Sequence, residues 1–223
     1  KAYATKRRTV RFHHDKELEQ VPPGSKLLSS YILDEVKNYR IYGTDDSRGI
    51  YAQYFEEIYK TMICEEKYKP LRERWPEDNI SKYHDGYFAK DGKGHYVDRR
   101  DTDDKDGNDV STYQLIMQDK EKLIDLSCPL RFIFSHSALQ EGWDNPNVFQ
   151  ICVFAPANKD STRRQRIGRG LRLPINQKGE RNMDNLDINV LTVVANEKFE
   201  EFAEALQKEY DTDGVPFGII DEG

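Results

Sequence analysis

Three short, nearly unbroken apolar runs punctuate the chain, Leu130 to Phe134, Val148 to Phe154 and Ile188 to Ala195, and Lys26 to Leu33 reads as a further strand on the apolar bulk of Leu27, Leu28, Tyr31, Ile32 and Leu33. They lack the two-residue alternation of a half-exposed strand, and such runs suit strands covered on both faces, as in a parallel sheet. Between them the period changes. Ile50, Tyr54, Phe55, Ile58, Tyr59, Met62 and Ile63 recur at helical spacing and predict an amphipathic helix between Arg48 and Lys67. Leu115, Ile116, Leu123 and Ile124 give a broad helical face over Tyr113 to Leu126. Phe199, Phe202, Ala203 and Leu206 predict one further helix. Strands alternating with helices are the pattern of an α/β layer fold, a mostly parallel sheet flanked by helices. There are no internal repeats.

Breaks in this pattern suggest the domain limits. Val21-Pro22-Pro23-Gly24 is a breaker. Ahead of it, Lys6, Arg7, Arg8, Arg11, His13, His14 and Lys16 read as a basic helix, expected to be solvated or to link to an upstream domain. His13 and His14 are neighbours, so on a helix they point different ways and make a poor metal pair. From Glu65 to Val110 the periodicity dissolves into prolines, glycines and charge. This stretch reads as a charged insertion with at most a small hairpin around Tyr83 to Phe88 and His95 to Val97. Asp101 to Gly107 invites a calcium-loop reading that fails. With Gly107 at the sixth position, Tyr113 falls at the twelfth, where a bidentate Glu is needed. The expected division is a linker helix over 1–24, one domain over 25–210 with an insertion at about 65–110, and a linker towards a following domain over 211–223.

Charge changes the picture next. The net charge of −6, with 33% charged residues, argues against nucleic-acid binding by bulk charge. Phosphate contacts would have to come from local patches. Cys64, Cys128 and Cys152 show no metal-ligand spacing and fit a reducing cytoplasm. No apolar run approaches the roughly 20 residues needed to cross a bilayer, and no secretory leader is visible. The expected setting is cytoplasmic, with no membrane partner. The chain starts at Lys1 without a methionine and is expected to be a piece of a longer polypeptide.

The strongest local patch lies between Ser161 and Pro174, where five arginines occur without one acid. Gln165, Gly168, Arg169 and Arg172 sit at i, i+3, i+4 and i+7 and would share one helix face. Asp160 or Ser161 can cap the start, and Pro174 stops the helix near Leu173. Guanidinium forks match phosphate oxygens bidentately. On spacing alone two readings stand: a phosphate clamp built on Arg169 and Arg172, or a basic helix solvated or paired with acids elsewhere. Lys37, Asn38 and Arg40, just after the first strand, are either phosphate contacts or a solvent-facing turn.

Spelling adds what spacing cannot. Gln165-Arg166-Ile167-Gly168-Arg169-Gly170-Leu171-Arg172 resembles motif VI of superfamily 2 helicases, and Gly142-Trp143-Asp144-Asn145-Pro146-Asn147-Val148 resembles their motif V, in the right order. Pro129 to Cys152 and Ile167 to Gln177 look like the Res subunit of type III restriction-modification enzymes, as do Leu33 to Arg40 and Thr112 to Met117. This resemblance runs roughly from Lys26 to Leu206.

It implies a second RecA-like motor domain of an ATP-dependent restriction endonuclease and helicase. Arg169 and Arg172 would be arginine fingers, the catalytic residues. Gly142, Asp144, Gln165 and Gly168 would face ATP, and Ser135, His136 and Ser137 would face DNA. ATP and Mg2+ would be held mainly by a first RecA-like domain, since the chain has no Gly-x-x-x-x-Gly-Lys-Ser/Thr loop. It also lacks a convincing nuclease motif, so it is expected to be inactive alone, and no metal site is expected in it. Implied partners are DNA, a methyltransferase subunit and the first RecA-like domain. Glu141 and Leu171 depart from residues frequent in the wider superfamily. Two alternatives remain: a motor domain of another superfamily 2 DNA or RNA helicase, or a non-catalytic helicase-like binding module.

Overall fold

In the computed structural model, the elements follow one another as α1 (Ala2–Glu19), β1 (Leu28–Ile32), α2 (Ile50–Ile63), α3 (Lys69–Arg74), α4 (Ile80–Tyr83), β2 (His84–Tyr87), β3 (Ala89–Lys90), β4 (Tyr96–Val97), α5 (Lys120–Ile124), β5 (Phe132–Ser135), β6 (Val148–Val153) and β7 (Thr192–Val194). The structure describes residues 2–19, 25–43, 46–90, 95–97, 120–135, 145, 147–154, 175–181, 190–194, 204 and 208. Among the described residues, five strands form one parallel sheet in the order β2-β5-β1-β6-β7. Every residue of β1, β5 and β6 is buried. These central strands are covered on both faces, which is why they read as mostly apolar. With helices packed against it, the sheet has the architecture of a RecA-like α/β domain.

One face of the sheet is a wall of aromatic rings. Tyr31 stacks on Phe134 with centroids 4.7 Å apart, and Phe134 in turn stacks on Tyr39 at 4.7 Å. Helix α2 lies over this wall. It buries Ala52, Phe55, Ile58, Tyr59, Met62 and Ile63 and drives Phe55 edge-on into Phe132 at 4.7 Å. The helix starts where predicted because Gly49 lets the chain close up: a Cβ there would meet the Lys37 carbonyl oxygen at 2.4 Å. The Gly49 N–H donates to the Tyr39 carbonyl at 2.8 Å.

Two segments differ from expectation. The stretch after Glu65 does not dissolve at once. Tyr68, Leu71, Trp75, Ile80 and Tyr83 all join the core, and His84 to Tyr87 form the edge strand β2, paired in parallel with β5. Among the described residues of this stretch, β3 and β4 make a small antiparallel hairpin. An edge strand needs no apolar run, so Tyr83 to Phe88 reads in the sequence as part of a small hairpin and not as a strand of the main sheet. Asp101 to Gly107 and most of the predicted helix from Tyr113, before Lys120, lie outside the described residues, as do Phe199, Phe202, Ala203 and Leu206.

Helix α1 differs more. Thr9, Val10, His13, His14 and Lys16 are buried in the domain, so this segment is not a solvated connector. Val10, His13, His14 and Glu17 fall at i, i+3, i+4 and i+7, one stripe facing the sheet. A hydrogen-bond chain runs beneath it. Arg131 donates to His13 Nε2 at 2.9 Å, and His13 Nδ1 lies 2.7 Å from Ser29 Oγ. Ser29 donates to Gln150 Oε1 at 3.0 Å, and Gln150 donates to the Thr9 carbonyl at 3.1 Å. The Glu17 carboxylate pairs with the Arg131 guanidinium and accepts from Trp75 Nε1 at 3.0 Å. Arg131 is fully buried, 4.7 Å over the Trp75 ring, and donates to Tyr59 Oη at 3.1 Å. Burial pulls its pKa down to about 9, which leaves it charged at neutral pH.

His14 sits 5.0 Å from the rings of both Tyr59 and Tyr68, and its two ring nitrogens have no hydrogen-bond partner among the described residues. Burial, then the Arg131 charge, hold both histidines well below their usual range. The folded state keeps them neutral while the unfolded chain takes up protons as pH falls through about 6.5, so stability is lost on acidification. Two such groups cost about 2–3 kcal/mol between pH 7 and pH 5.5 at 1.36 kcal/mol per proton and pH unit. His14→Phe keeps the ring and removes one of the two protons. Urea unfolding of that variant should show a pH slope cut by about half over the same window; an unchanged slope would contradict the buried neutral histidine.

Candidate functional site

The carboxyl ends of parallel strands, where the connections diverge, are where α/β sheets hold ligands. Here β1 sends its connection towards β2 and β6 sends its own towards β7, on opposite sides of β1. The carboxyl edge is drawn tight by backbone bonds: Leu33 N–H donates to Ser135 O at 2.7 Å, and Phe154 N–H to Ile32 O at 2.8 Å. Beyond β1 the chain turns on Asp34, whose Oδ1 accepts from the Glu35 N–H at 2.9 Å and from Asn38 Nδ2 at 2.7 Å. Asn38 and Arg40 both have partners within the domain. Asn38 is the donor just named, and Arg40 donates to Ser47 Oγ at 3.0 Å. Lys37 remains at the surface, 2.9 Å from Glu35.

Ser135 ends β5 on this edge, fully buried, with its Oγ 3.5 Å from the Tyr31 carbonyl oxygen. Its hydroxyl therefore faces β1. His136, Ser137, Gly142, Asp144, Gln165, Gly168, Arg169 and Arg172 lie outside the described residues. Their described neighbours carry the geometry.

Those neighbours meet at the opposite, amino edge of the sheet. Asn147, just before β6, is fully buried. Its Oδ1 accepts from the Ile175 N–H at 2.8 Å, and its Nδ2 donates to the Ile175 carbonyl at 2.9 Å. Its own N–H donates to Asn145 Oδ1 at 2.9 Å, and its carbonyl accepts from Leu28 N–H at 2.9 Å. Asn145 directly follows Asp144, and Ile175 follows Arg172 by three residues. The trailing end of the motif V segment is thus bonded to the residue that lies three positions beyond Arg172.

A hairpin backs this corner. Ile175 bridges Arg181, Ser25 bridges Asn176, and Gly179 turns the chain at φ +78°. Gln177 Nε2 donates to the Ile124 carbonyl at 2.8 Å, at the end of α5. Lys26 finishes that end. Its ammonium donates to the carbonyls of Leu123, Asp125 and Cys128 at 2.7, 3.2 and 2.6 Å, satisfying groups that a helix terminus leaves open. None of these anchors was visible in the sequence, because each joins residues far apart in the chain.

A cleft of about 860 Å³ opens elsewhere, beside β2 and α2, lined among others by Tyr39, Arg48, Glu56 and His84. Its charges answer one another. Arg48 pairs with Asp46 at 2.7 Å and Glu56 at 2.6 Å. Glu56 also meets His84 Nε2 at 3.2 Å, and Tyr39 Oη lies 3.0 Å from His84 Nδ1. The hydrogen bonds from Arg48 hold Asp46 down at about 2. Such a balanced set has no excess charge for a phosphate. Among the described residues no group of His, Cys, Asp and Glu is arranged to hold a metal ion, and no helix is long and apolar enough to cross a membrane.

No protein-family model matches the chain. Three curated proteins do. The Res subunit of the type III restriction-modification enzyme EcoP15I of Escherichia coli is 38% identical over 179 residues, covering 77% of this chain and 17% of that protein. The EcoPI Res subunit of Escherichia phage P1 is 37% identical over 173 residues, covering 74% of this chain and 16% of that protein. The StyLTI Res subunit of Salmonella typhimurium is 32% identical over 194 residues, covering 76% and 18%. The chain spans about one sixth of the length of these relatives. With 32–38% identity sustained over about three quarters of its residues, the chain belongs to the Res-subunit family of type III restriction-modification enzymes.

Proposed function

We propose that this chain is the second RecA-like motor domain of a Res subunit, acting on ATP held mainly by a first RecA-like domain of the same polypeptide. The observation that carries the reading is the Asn147–Ile175 pairing, which ties the end of the motif V segment to the residue just after the arginine segment. A motor needs those two segments to move as one body, because both are read as facing the nucleotide and the motif V segment is read as coupling it to DNA. The donor set fits the ligand chemically: five arginines without an intervening acid suit a polyphosphate.

Phosphoryl transfer spreads charge over the γ-phosphoryl oxygens, and positioned guanidinium groups stabilise that charge. In this reading Arg169 and Arg172 supply it across the interdomain cleft. Gln165 and Gly168 shape the same face, with Gly142 and Asp144 beside them. Mg2+ brought with ATP would be held mainly by the first RecA-like domain and would supply charge neutralisation at the phosphates. Ser135, His136 and Ser137 belong to the DNA-facing side, and Ser135 contributes there through its place at the end of β5. In the intact enzyme the domain would work with a methyltransferase subunit, using ATP turnover to move along DNA and license cleavage.

The test is ATP hydrolysis by the intact subunit with its partner, with and without nucleic acid. Duplex DNA should raise turnover while RNA of equal length does not. Stimulation by RNA alone would reassign the domain to another superfamily 2 motor, and no stimulation by either would favour a non-catalytic module.

A further inference from the structure

We propose that Asn147 is a positioning residue for ATP hydrolysis, acting by fixing the trailing end of the arginine segment against the start of β6. The inference rests on the reading of Arg169 and Arg172 given above. Asn147 touches no reacting group. It is fully buried, and its primary amide meets both polar groups of the Ile175 backbone, at 2.8 and 2.9 Å, as a neighbouring strand would. The side chain suits this task for a definite reason. Aspartate has the acceptor but no donor, and would set a carboxylate against the Ile175 carbonyl; glutamine is longer by a methylene. Asn147 cannot shift to accommodate a loss, since its N–H is bonded to Asn145 Oδ1 and its carbonyl to Leu28 N–H.

Ile175 is equally constrained. It belongs to the hairpin tied to Ser25 at the start of β1 and, through Gln177, to the end of α5. Arg172 precedes Ile175 by three residues, with Pro174 between them, so little free chain separates the guanidinium's backbone from the anchor. Catalysis by a positioned charge is sensitive to displacement: an error of about 1 Å can cost on the order of 100-fold in rate. An anchor this close to a finger therefore controls turnover more than nucleotide affinity.

The experiment uses the intact subunit with DNA. Asn147→Asp should lower kcat for ATP by about 10-fold or more while KM for ATP stays within about 3-fold, the signature of a misplaced charge. Amide exchange at Ile175 should be protected in the parent protein and fast in the variant. Asn147→Ser, which is smaller and neutral, gives a second version should the aspartate fail to fold. A double-mutant cycle then separates positioning from simple destabilisation. Arg172→Lys keeps a charge and a measurable rate, and adding Asn147→Asp to it should lower kcat by no more than about 2-fold further. A full multiplicative loss, an unprotected Ile175 amide, or a kcat unaffected by both Asn147 variants overturns the inference while leaving the arginine reading intact. An unchanged kcat in Arg172→Lys and Arg172→Ala alike removes the arginine reading, and this inference with it.

Discussion

Arg169→Ala and Arg172→Ala in the intact Res subunit are each expected to lower DNA-stimulated ATPase by roughly 10³-fold or more, the range in which a positioned arginine contributes to phosphoryl transfer. The loss should fall on kcat. Nucleotide affinity is expected to change little, because in the proposed function ATP is held mainly by another domain, and an interaction made only in the transition state lowers kcat and kcat/KM together. Fluorescent-nucleotide binding beside steady-state turnover separates the two quantities. Near-parental turnover in both variants would remove the arginine fingers from the mechanism. The acid-free run from Ser161 to Pro174 motivates the expectation.

The second large effect is on folding. Arg131→Ala is expected to destabilise the domain by about 3–5 kcal/mol, the usual cost of leaving one partner of a buried ion pair alone. Glu17 would remain with its side chain only 8% exposed and its countercharge gone. For a domain of this size that is a fall of melting temperature on the order of 10 °C. Glu17→Leu combined with Arg131→Met should recover much of the loss, since an apolar pair of similar volume avoids the desolvation cost. Urea unfolding of the two single variants and the double measures the coupling. If Arg131→Ala unfolds within about 0.5 kcal/mol of the parent, α1 is not held by this pair.

That pair also shows where sequence reading stops. The central strands were legible because a strand buried on both faces is mostly apolar; Leu28–Ile32 and Val148–Val153 fall inside the predicted runs, and Phe132–Ser135 passes the end of its run by one residue. Helix α2 was legible from Phe55, Ile58, Tyr59, Met62 and Ile63 for the same kind of reason. The burial of helix α1 was not legible because its buried stripe is polar. Val10, His13, His14 and Glu17 follow helical spacing, but only one of them is aliphatic, and the group that pairs His13 and Glu17 inside, Arg131, lies 118 positions beyond His13. Trp75 and Tyr68 were assigned to a charged insertion although both close over α1, Trp75 by bonding Glu17 and Tyr68 by bonding Asp15 at 2.6 Å. Pairings of that range leave no periodic trace. In the candidate site, motif spelling pointed to Arg169, Arg172 and Asp144, whereas the Asn147–Ile175 anchor depends on a fold that brings two segments 28 positions apart into register.

The central claim is that this domain lends guanidinium groups to a nucleotide held mainly elsewhere in the polypeptide. The most direct measurement is a structure of the intact subunit with DNA, ADP, Mg2+ and aluminium fluoride, which mimics the transferring phosphoryl group. The account predicts the Arg169 and Arg172 guanidinium groups at hydrogen-bond distance, about 2.7–3.1 Å, from the fluoride or the β-phosphate. Finding both side chains turned into their own domain and paired with its carboxylates would contradict it.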